Sequence, residues 1–235
     1  MREAIAAGRA LDRLYILIDG KGLGELAAMA KAAGVVIVDC DRRRLDSMSA
    51  TKAHQGIIAV AAAHKYAEPE EILQKAGERG EPPFIVVCDG IEDEGNLGSI
   101  IRSAEAAGAH GLVIQKRRSA GLSAFVAKAS AGAIEHLPVA RVPGIPAFLR
   151  GLKEKNIWIY GTSADAPRSV FDEDFAGAAA IVVGSEGWGM SRLTAEICDF
   201  TVGIPLYGKI SSLNASAAAA VVLCQVARSR RIQRR

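Results

Sequence analysis

The chain has 235 residues, of which 50% are hydrophobic and 23% charged, and its formal net charge is +3. This balance is typical of a soluble globular protein that can bury a core, as one large domain or as a small and a medium one. The small net charge does not establish a polyanionic partner. Three local basic clusters are more informative, although a solvated surface explains each about equally well: RRR at 42–44, KRR at 116–118 and RSRRIQRR at 228–235.

The cysteine and histidine residues are too dispersed for a disulfide framework or a zinc site. No CxxC or HExxH motif occurs, and Cys40, Cys88, Cys198 and Cys224 lie far apart, most of them in apolar runs. We therefore expect reduced, buried thiols in a cytoplasmic protein without a structural metal. No apolar run reaches the ~18 residues of a membrane span, and no signal-peptide core is recognisable, so we expect no membrane association.

Strands and helices alternate in two series. The first series forms a small α/β unit over residues 1–62, with strands at 14–19, 35–39 and 56–63 and a helix at 24–34. Residues 63–83 are predicted to be a linker, because they are highly charged and end in Pro82-Pro83, which disfavour regular structure.

The second series, over residues 84–235, predicts a parallel α/β sheet. Its strands are continuous apolar runs separated by helices, which is typical of a sheet covered on both faces. Ligands bind such sheets beyond the carboxyl ends of the strands, so we expect the site in the loops after Asp89, Tyr160, Val183 and Ile204. The strands are predicted at 84–89, 111–114, 157–162, 179–184 and 199–205, and the helices after Asn96, near 121–132, at 191–197 and from Asn214.

Two glycine-rich segments resemble nucleotide-binding motifs without satisfying them. DGKGLGELAA at 19–28 has Glu25 where a dinucleotide fingerprint requires its third glycine, which favours a simple turn. GSEGWGMS at 184–191 lacks the Lys-Ser/Thr of a phosphate-binding P-loop. A serine-hydrolase elbow, Gly-x-Ser-x-Gly, does not occur either.

The helix predicted after the first strand of the sheet is a candidate anion site. Asn96 is expected to cap its N-terminus, where unpaired N–H groups attract anions. Gly98 and Arg102 are four residues apart on one face, so Arg102 is expected to lean back over Gly98 toward that end. A surface arginine on a glycine-weakened helix is the simpler alternative.

Two further segments place polar residues and glycines at strand ends. In IVVGSEGWGMS, Gly184, Gly187 and Gly189 permit close approach of a ligand to the backbone, beside Glu186. In IPLYGKISSLNASAAAA, three polar residues precede a helix of small residues: Ser211, Ser212 and Asn214. Each could be an ordinary helix cap, but three such strand ends in one sheet favour a shared site.

Together these three segments resemble the motifs of the SpoU class of RNA ribose 2′-O-methyltransferases, in the SPOUT superfamily. The spacing within each motif agrees: Asn96-x-Gly98-x-x-x-Arg102, Gly184-Ser185-Glu186-Gly187-x-Gly189, and Ile204-Pro205-x-x-Gly208-x-x-x-Ser212-Leu213-Asn214-x-Ser216. Residues 1–62 resemble the small RNA substrate-binding domain, related to a ribosomal-protein fold, of the class members that methylate 23S rRNA guanosine. Those enzymes have about ten residues more before the segment that corresponds to REAIAAGR.

The resemblance implies a second domain with a deep trefoil knot near its C-terminus and S-adenosylmethionine as the methyl donor. The residues implied to bind the donor are Gly184, Ile204, Leu213 and Thr162. Arg102 is implied to be catalytic, with Asn96, Glu186, Ser212 and Asn214 orienting it and the ribose. We expect Arg102 to bind phosphate and stabilise the alkoxide, because a guanidinium is a poor proton acceptor.

The resemblance also implies a homodimer and an RNA partner, most simply 23S rRNA. The small-residue helix at 214–227 fits a dimer interface, although a buried core helix fits the pattern equally well. Three other functions remain open: ribose methylation of tRNA, modification of an rRNA adenosine that confers resistance, and RNA binding without catalysis. Base identity is not readable from these residues.

Overall fold

The computed structural model describes residues 11–18, 22–49, 54–61 and 64–233. The chain divides into two compact units, Met1–Lys65 with Gly121–Ala124 and Tyr66–Ala120 with Phe125–Arg235. Several sequence expectations fall partly or wholly outside the described residues. They are the segment before Leu11, the end of the strand at 14–19, the start of the glycine-rich segment at 19–28, the end of the strand at 56–63, the first residue of the linker at 63–83, and the end of the basic cluster at 228–235.

The first unit is a three-stranded sheet with two helices. The order is β2-β1-β3, with β1 parallel to β2 and antiparallel to β3. Its second helix was not predicted, and the basic cluster at 42–44 forms its first turn, where the Asp41 side chain accepts a hydrogen bond from the Arg44 N–H (2.8 Å). The elements are β1 (Leu11–Leu17), α1 (Gly24–Ala32), β2 (Val36–Cys40), α2 (Arg42–Met48) and β3 (Ile57–Ala61).

The second unit is built on a seven-stranded sheet in the order β6-β5-β4-β9-β7-β10-β8. All paired strands are parallel, and β4 and β9 at its centre are buried along their whole length. The predicted parallel α/β sheet is therefore confirmed. Its strands are β4 (Phe84–Asp89), β5 (Gly111–Gln115), β6 (Val139–Val142), β7 (Trp158–Thr162), β8 (Arg168–Ser169), β9 (Ala179–Gly184) and β10 (Phe200–Gly203).

Most helices of this unit connect successive strands, and the last helix follows the last strand. The strands at 139–142 and 168–169 were not predicted because they are short. The amphipathic helix at 145–153, which buries Ile145, Leu149 and Leu152, was missed. The trefoil knot stays a prediction of the resemblance. The α-helices are α3 (Pro69–Glu78), α4 (Glu94–Ala106), α5 (Ala124–Ala129), α6 (Ile145–Lys153), α7 (Arg192–Ile197) and α8 (Ala215–Gln233).

Residues 63–83 were predicted to be a linker without regular structure, and this prediction is wrong. Residues Pro69–Glu78 form α3, which begins with a capping box between Glu68 and Glu71. Ile72 and Ala76 are buried on one face of α3, and Ile72 packs directly over Gly111 on β5. The high charge misled the prediction because the charged residues occupy only the outer face of an amphipathic helix.

The C-terminal basic cluster is partly structural. The Arg230 guanidinium donates hydrogen bonds to the carbonyls of Pro82 (2.8 Å), Pro83 (2.8 Å) and Gly177 (2.7 Å). It also lies over the ring of Phe84, 5.0 Å from the centroid. Arg230 therefore fastens α8 to the amino-terminal edge of the sheet, and it is not available as a contact to a polyanion.

Candidate functional site

The three sequence motifs lie at the carboxyl edge of adjoining strands in the second unit. Strand β4 leads to α4, β9 leads to the loop at 184–191, and β10 leads to the loop at 204–214. Since β9 lies between β4 and β7, and β10 lies beside β7, all of these loops leave the sheet on the same side. The predicted location of the site is therefore the place where the fold brings these motifs together.

Helix α4 begins three residues earlier than predicted, so Asn96 is not its cap. Asp93 is the N-cap, and its side chain accepts a hydrogen bond from the Asn96 N–H (2.7 Å). The acidic loop at 92–94 thus has a structural role, since a carboxylate stabilises the positive end of a helix. Because Asp93 is the cap, the Asn96 side chain does not cap the helix and can contact other residues of the site.

Gly98 has a different function from the one predicted. It is buried, and a Cβ on it would lie 2.5 Å from the Ala129 Cβ and 3.0 Å from the Val126 carbonyl oxygen. Glycine is therefore required because α5 crosses α4 at this point. The prediction that Gly98 leaves space for the Arg102 side chain to lean over is wrong.

The loop after β9 is a tight hairpin. Ser185 and Gly189 exchange two backbone hydrogen bonds of 2.9 Å, and Gly189 has a φ of +66°. A Cβ on Gly184 would lie 2.2 Å from the Gly189 carbonyl carbon and 2.3 Å from the Met190 nitrogen. The glycines at 184 and 189 therefore let the chain fold back on itself directly at the strand end.

A buried carboxylate holds the far end of this hairpin. Asp89, the last residue of β4, is only 6% exposed, and its carboxylate accepts a hydrogen bond from the Ser191 N–H (2.8 Å). The Ser191 hydroxyl in turn caps α7 through Thr194. The sequence analysis placed a loop after Asp89 but missed this contact; an acidic residue at the end of the apolar run FIVVCD is the signal that could have found it.

The side chain of Asn214 joins all three motifs. Its Nδ2 donates a hydrogen bond to Asn96 Oδ1 (3.0 Å) and another to the Glu186 carboxylate. Its Oδ1 accepts from the Ser216 N–H (3.0 Å), the Ser216 hydroxyl (2.7 Å) and the Ala217 N–H (3.1 Å), so it also caps α8. One amide thus fixes the N-terminus of α8, a polar side chain of α4 and a carboxylate in the loop after β9.

Beside this cluster lies a cavity of about 510 Å³, within the about 300–1,000 Å³ typical of small-molecule sites. Its wall includes backbone and side chains from β7, β9, β10 and the loops that follow them. All four residues predicted to hold the methyl donor line it, together with Glu186 and Ser212: Thr162, Gly184, Ile204 and Leu213. The geometry therefore brings the predicted donor-binding residues into one cavity.

Arg102 is exposed on α4, and its guanidinium makes no hydrogen bond or ion pair with any described residue. Ser212 is exposed at the cavity, and no side-chain hydrogen bond joins it to Arg102 among the described residues. The structure thus brings together Asn96, Glu186 and Asn214, whereas the orientation of Arg102 by these groups stays a prediction. A guanidinium that pairs with no described residue is available to bind an anion.

The thiols near the site are not activated. Burial, followed by the charge of Asp89, raises the pKa of Cys88 to about 12. Burial, followed by the charge of Asp199, raises the pKa of Cys198 to about 11. Neither is a thiolate at neutral pH, so neither is a nucleophile. Cys224, in contrast to the predicted buried thiols, is exposed on α8.

Within the described ranges, no cluster of three or more His, Cys, Asp or Glu side chains is arranged to hold a metal ion. Among the same residues, no helix is both long enough and apolar enough to cross a bilayer.

Comparison with known proteins identifies the family. The SpoU rRNA Methylase family matches residues 83–224, a range that contains the sheet, the cavity and all three motifs. The chain belongs to the SpoU family. It is therefore an RNA methyltransferase that uses S-adenosylmethionine. A second family, described as RNA 2′-O ribose methyltransferase substrate binding, matches residues 1–67.

The SpoU chain has close relatives over most of its length. It is 45% identical over 230 residues to a putative TrmH family tRNA/rRNA methyltransferase, YacO, of Bacillus subtilis, covering 97% of this chain and 92% of the relative. It is 39% identical over 232 residues to a putative TrmH family tRNA/rRNA methyltransferase of Staphylococcus epidermidis, covering 98% and 93%.

Solved structures agree with the SpoU assignment. The SpoU methyltransferase AviRb from Streptomyces viridochromogenes, in complex with AdoMet, is similar with a TM-score of 0.65 and 27% identity, over 98% of this chain and 87% of that one. The TrmH/SpoU tRNA modifying enzyme of A. aeolicus is similar with a TM-score of 0.60 and 25% identity, over 70% of this chain and 85% of that one.

We expect Gly184→Ala in the SpoU chain to weaken binding of S-adenosylmethionine at least about tenfold, or about 1.4 kcal/mol. The new methyl group would meet backbone atoms at 2.2 and 2.3 Å, so the hairpin that lines the cavity would have to move. Isothermal titration calorimetry measures the affinity. Gly151→Ala is the matched control, because a Cβ there meets nothing within 4 Å. Equal affinities of the Gly184 variant and the wild type would contradict the expectation.

Proposed function

We propose that this chain transfers a methyl group from S-adenosylmethionine to the ribose 2′-OH of a guanosine in 23S rRNA. The observation that supports this most directly is the Asn214 side chain, which hydrogen bonds to both Asn96 and Glu186 at the edge of the cavity. Polar groups from helix α4 and from the two loops after β9 and β10 converge there, and α4 also carries Arg102, whose guanidinium pairs with no described residue. Such a cluster fits a polar acceptor group placed next to a bound small molecule.

The cavity fits the donor in size and in composition. Gly184 and Gly203 contribute backbone to its wall, and Leu206, Leu213 and Val222 supply apolar surface. When bound, S-adenosylmethionine supplies an electrophilic methyl group. The residues proposed to hold it are Gly184, Ile204 and Leu213, with Thr162 at the end of β7, whose hydroxyl donates to the Val182 carbonyl (3.0 Å).

The acceptor side of the site must bind RNA and stabilise negative charge as the ribose hydroxyl loses its proton. A guanidinium is a poor proton acceptor, so Arg102 serves as an electrostatic partner of the phosphate and the developing alkoxide rather than as a base. Asn96, Glu186, Ser212 and Asn214 are proposed to orient the ribose. Glu186 is held in place by Asn214, which keeps its carboxylate at the cavity.

Ribosomal RNA is favoured over tRNA by the first unit. Residues 1–67 match a substrate-binding family, whereas the A. aeolicus tRNA modifying enzyme aligns with only 70% of this chain. The additional unit is therefore better explained by a large folded substrate. The names of the B. subtilis and S. epidermidis relatives include both RNA classes, so tRNA methylation is the alternative that the experiment must distinguish.

The test is transfer of a labelled methyl group to separately purified rRNA and tRNA fractions. We expect label in 23S rRNA, released by digestion as 2′-O-methylguanosine. Label in tRNA alone would show that tRNA, and not 23S rRNA, is the substrate. Label in adenosine would show that the methylated nucleotide is not guanosine. An enzyme that binds RNA but neither binds S-adenosylmethionine nor transfers methyl would establish the non-catalytic alternative. The predicted cytoplasmic location belongs to this proposal, because that is where bacterial rRNA is modified.

The proposal includes a homodimer that uses α8. The buried face of this helix packs in its own unit through Ala219, Leu223 and Val226, while Ala217 and Cys224 are exposed, seven residues apart on another face. Small exposed residues permit the close approach of a second helix, so a second copy of the chain is the proposed occupant. A monomer by light scattering at micromolar concentration would contradict this part.

A further inference from the structure

The basic turn at 116–118 has no function in the site described so far. It follows β5 directly, and β5 pairs with β4, so the turn leaves the sheet at the same edge as the loop before α4. Arg117 and Arg118 are exposed. Neither guanidinium forms an ion pair or a hydrogen bond with a residue that the structure describes. Two adjacent free guanidinium groups therefore lie at the edge of the sheet that carries the active site.

The backbone holds this turn in one conformation. Arg118 has a φ of +53°, a left-handed conformation that is unfavourable for an arginine. Its carbonyl accepts a hydrogen bond from the Gln115 side chain (3.2 Å). Two residues later, the Ala120 N–H donates to the Ile91 carbonyl (2.8 Å), which ties the turn to the loop before α4. Strain of this kind persists where the surroundings enforce it, and it is frequent at binding sites.

An exposed aromatic ring lies next to the same helix end. Phe125 is 58% exposed, and its Cε1 is 3.8 Å from the position that a Cβ on Gly95 would occupy. Gly95 directly precedes Asn96, so the ring lies against the first turn of α4. The contact between Gly98 and Ala129 keeps α5, which carries Phe125, against α4. An exposed phenylalanine is thus fixed close to a residue of the catalytic cluster.

We infer that Arg117, Arg118 and Phe125 form a surface, here called the flanking surface, that binds the RNA nucleotides next to the one that is methylated. The inference rests on the proposed function. Guanidinium groups bind phosphates through paired hydrogen bonds, and unpaired bases stack on aromatic rings. A surface that combines both features fits a single-stranded RNA segment better than it fits an apolar protein partner.

One residue at this edge has the opposite charge and supplies a stringent control. Glu92 is exposed in the loop before α4, and its neighbour Asp93 is occupied as the helix cap. If RNA phosphates lie on the flanking surface, Glu92 repels them. Neutralising it must then tighten RNA binding, whereas neutralising the arginines must weaken it. If the turn had only a structural role, neutralising Glu92 and neutralising the arginines would not change RNA affinity in opposite directions.

The test measures binding of transcribed 23S rRNA to the full-length enzyme as a function of salt. The variant is Arg117→Ala/Arg118→Asn, since asparagine tolerates the left-handed backbone at 118. We expect the Kd to rise about tenfold or more at 0.1 M salt. The slope of log Kobs against log[salt] should fall by about 1.4, because each contact to a single-strand phosphate contributes about 0.7. The affinity for S-adenosylmethionine should not change.

Two further variants separate stacking and repulsion from phosphate binding. Phe125→Ala should weaken RNA binding about fivefold or more with the salt slope unchanged, because stacking releases no counterions. Glu92→Gln should tighten binding. The matched control is Arg150→Ala/Lys155→Ala, which removes two exposed charges at the end of α6 and just after it, at the opposite edge of the sheet.

The inference is overturned if the arginine variant keeps the wild-type Kd and salt slope, or if the control pair changes them equally. It is also overturned if Phe125→Ala alters only the oligomeric state, which would make the ring an interface between copies. Because binding is measured without methyl transfer, a wild-type enzyme that binds 23S rRNA but methylates no ribose would refute the proposed function and leave this test intact.

Discussion

Arg102→Ala is expected to lower the methylation rate about 100-fold or more at saturating RNA and S-adenosylmethionine. Loss of one preorganised donor that stabilises developing negative charge has an effect of this size in other enzymes. The side chain is exposed and forms no hydrogen bond or ion pair with a described residue, and alanine is a better helix former than arginine. The change should therefore affect kcat and leave thermal unfolding unaltered.

Two control variants make the Arg102 result specific. Arg102→Lys keeps the charge but loses the planar pair of donors, so it should recover only part of the rate. Glu105→Ala removes an exposed charge one turn later on α4 and should leave kcat as in the wild type. Near-normal turnover of Arg102→Ala would remove this residue from the catalytic centre.

Asn214→Asp is expected to lower the methylation rate on the order of 100-fold while preserving stability. The two donor hydrogen bonds to Asn96 and Glu186 are lost, and a second carboxylate is placed against Glu186. Loss of a hydrogen bond to a charged group such as Glu186 costs about 1.5–3 kcal/mol, and loss of a neutral one such as that to Asn96 costs about 0.5–1.5 kcal/mol. Aspartate caps a helix as well as asparagine does, so the contacts to the Ser216 and Ala217 N–H groups remain.

Comparison with Asn214→Ala separates the two functions of this side chain. Alanine removes the cap as well as the donors, so it should lower the free energy of unfolding by about 1 kcal/mol in addition to the rate. Chemical denaturation measures the stability of both variants. If Asn214→Asp destabilised the protein as much as Asn214→Ala, the loss of activity would follow from unfolding of the α8 N-terminus rather than from the site.

The sheet and the edge that carries the cavity could be predicted because their signals are local. Strands such as FIVVCD and AAIVVG are continuous apolar runs, and both have the predicted bounds in the structure. The glycines and polar residues after the strands indicated this edge, whereas only the resemblance to the SpoU class assigned Thr162, Gly184, Ile204 and Leu213 to the methyl donor; all four line one cavity. In a parallel sheet the carboxyl ends of all strands lie at the same edge, so residues that follow the strands can be placed at that edge without knowledge of the strand order.

The features that the sequence did not predict depend on packing between distant elements. The sequence suggested that Gly98 leaves open space on the surface of α4, whereas in the structure α5 crosses α4 at Gly98. Asp93 and Asn96 are both good capping residues. The extended backbone of Asp93, which the sequence does not reveal, makes it the cap. The segment at 69–78 has so many charged residues that the sequence did not indicate a helix. The structure shows that this helix buries Ile72 and Ala76 and that Ile72 packs on Gly111 of β5.

The measurement that tests the central claim most directly is methyl transfer to 23S rRNA, followed by a second reaction on RNA that carries a single 2′-deoxy substitution at the mapped nucleotide. We expect the wild-type enzyme to yield 2′-O-methylguanosine, and the deoxy substrate to bind normally and accept no methyl group. Methylation of the deoxy substrate would place the acceptor on the base and contradict a ribose methyltransferase site built on Asn96, Arg102, Glu186 and Asn214.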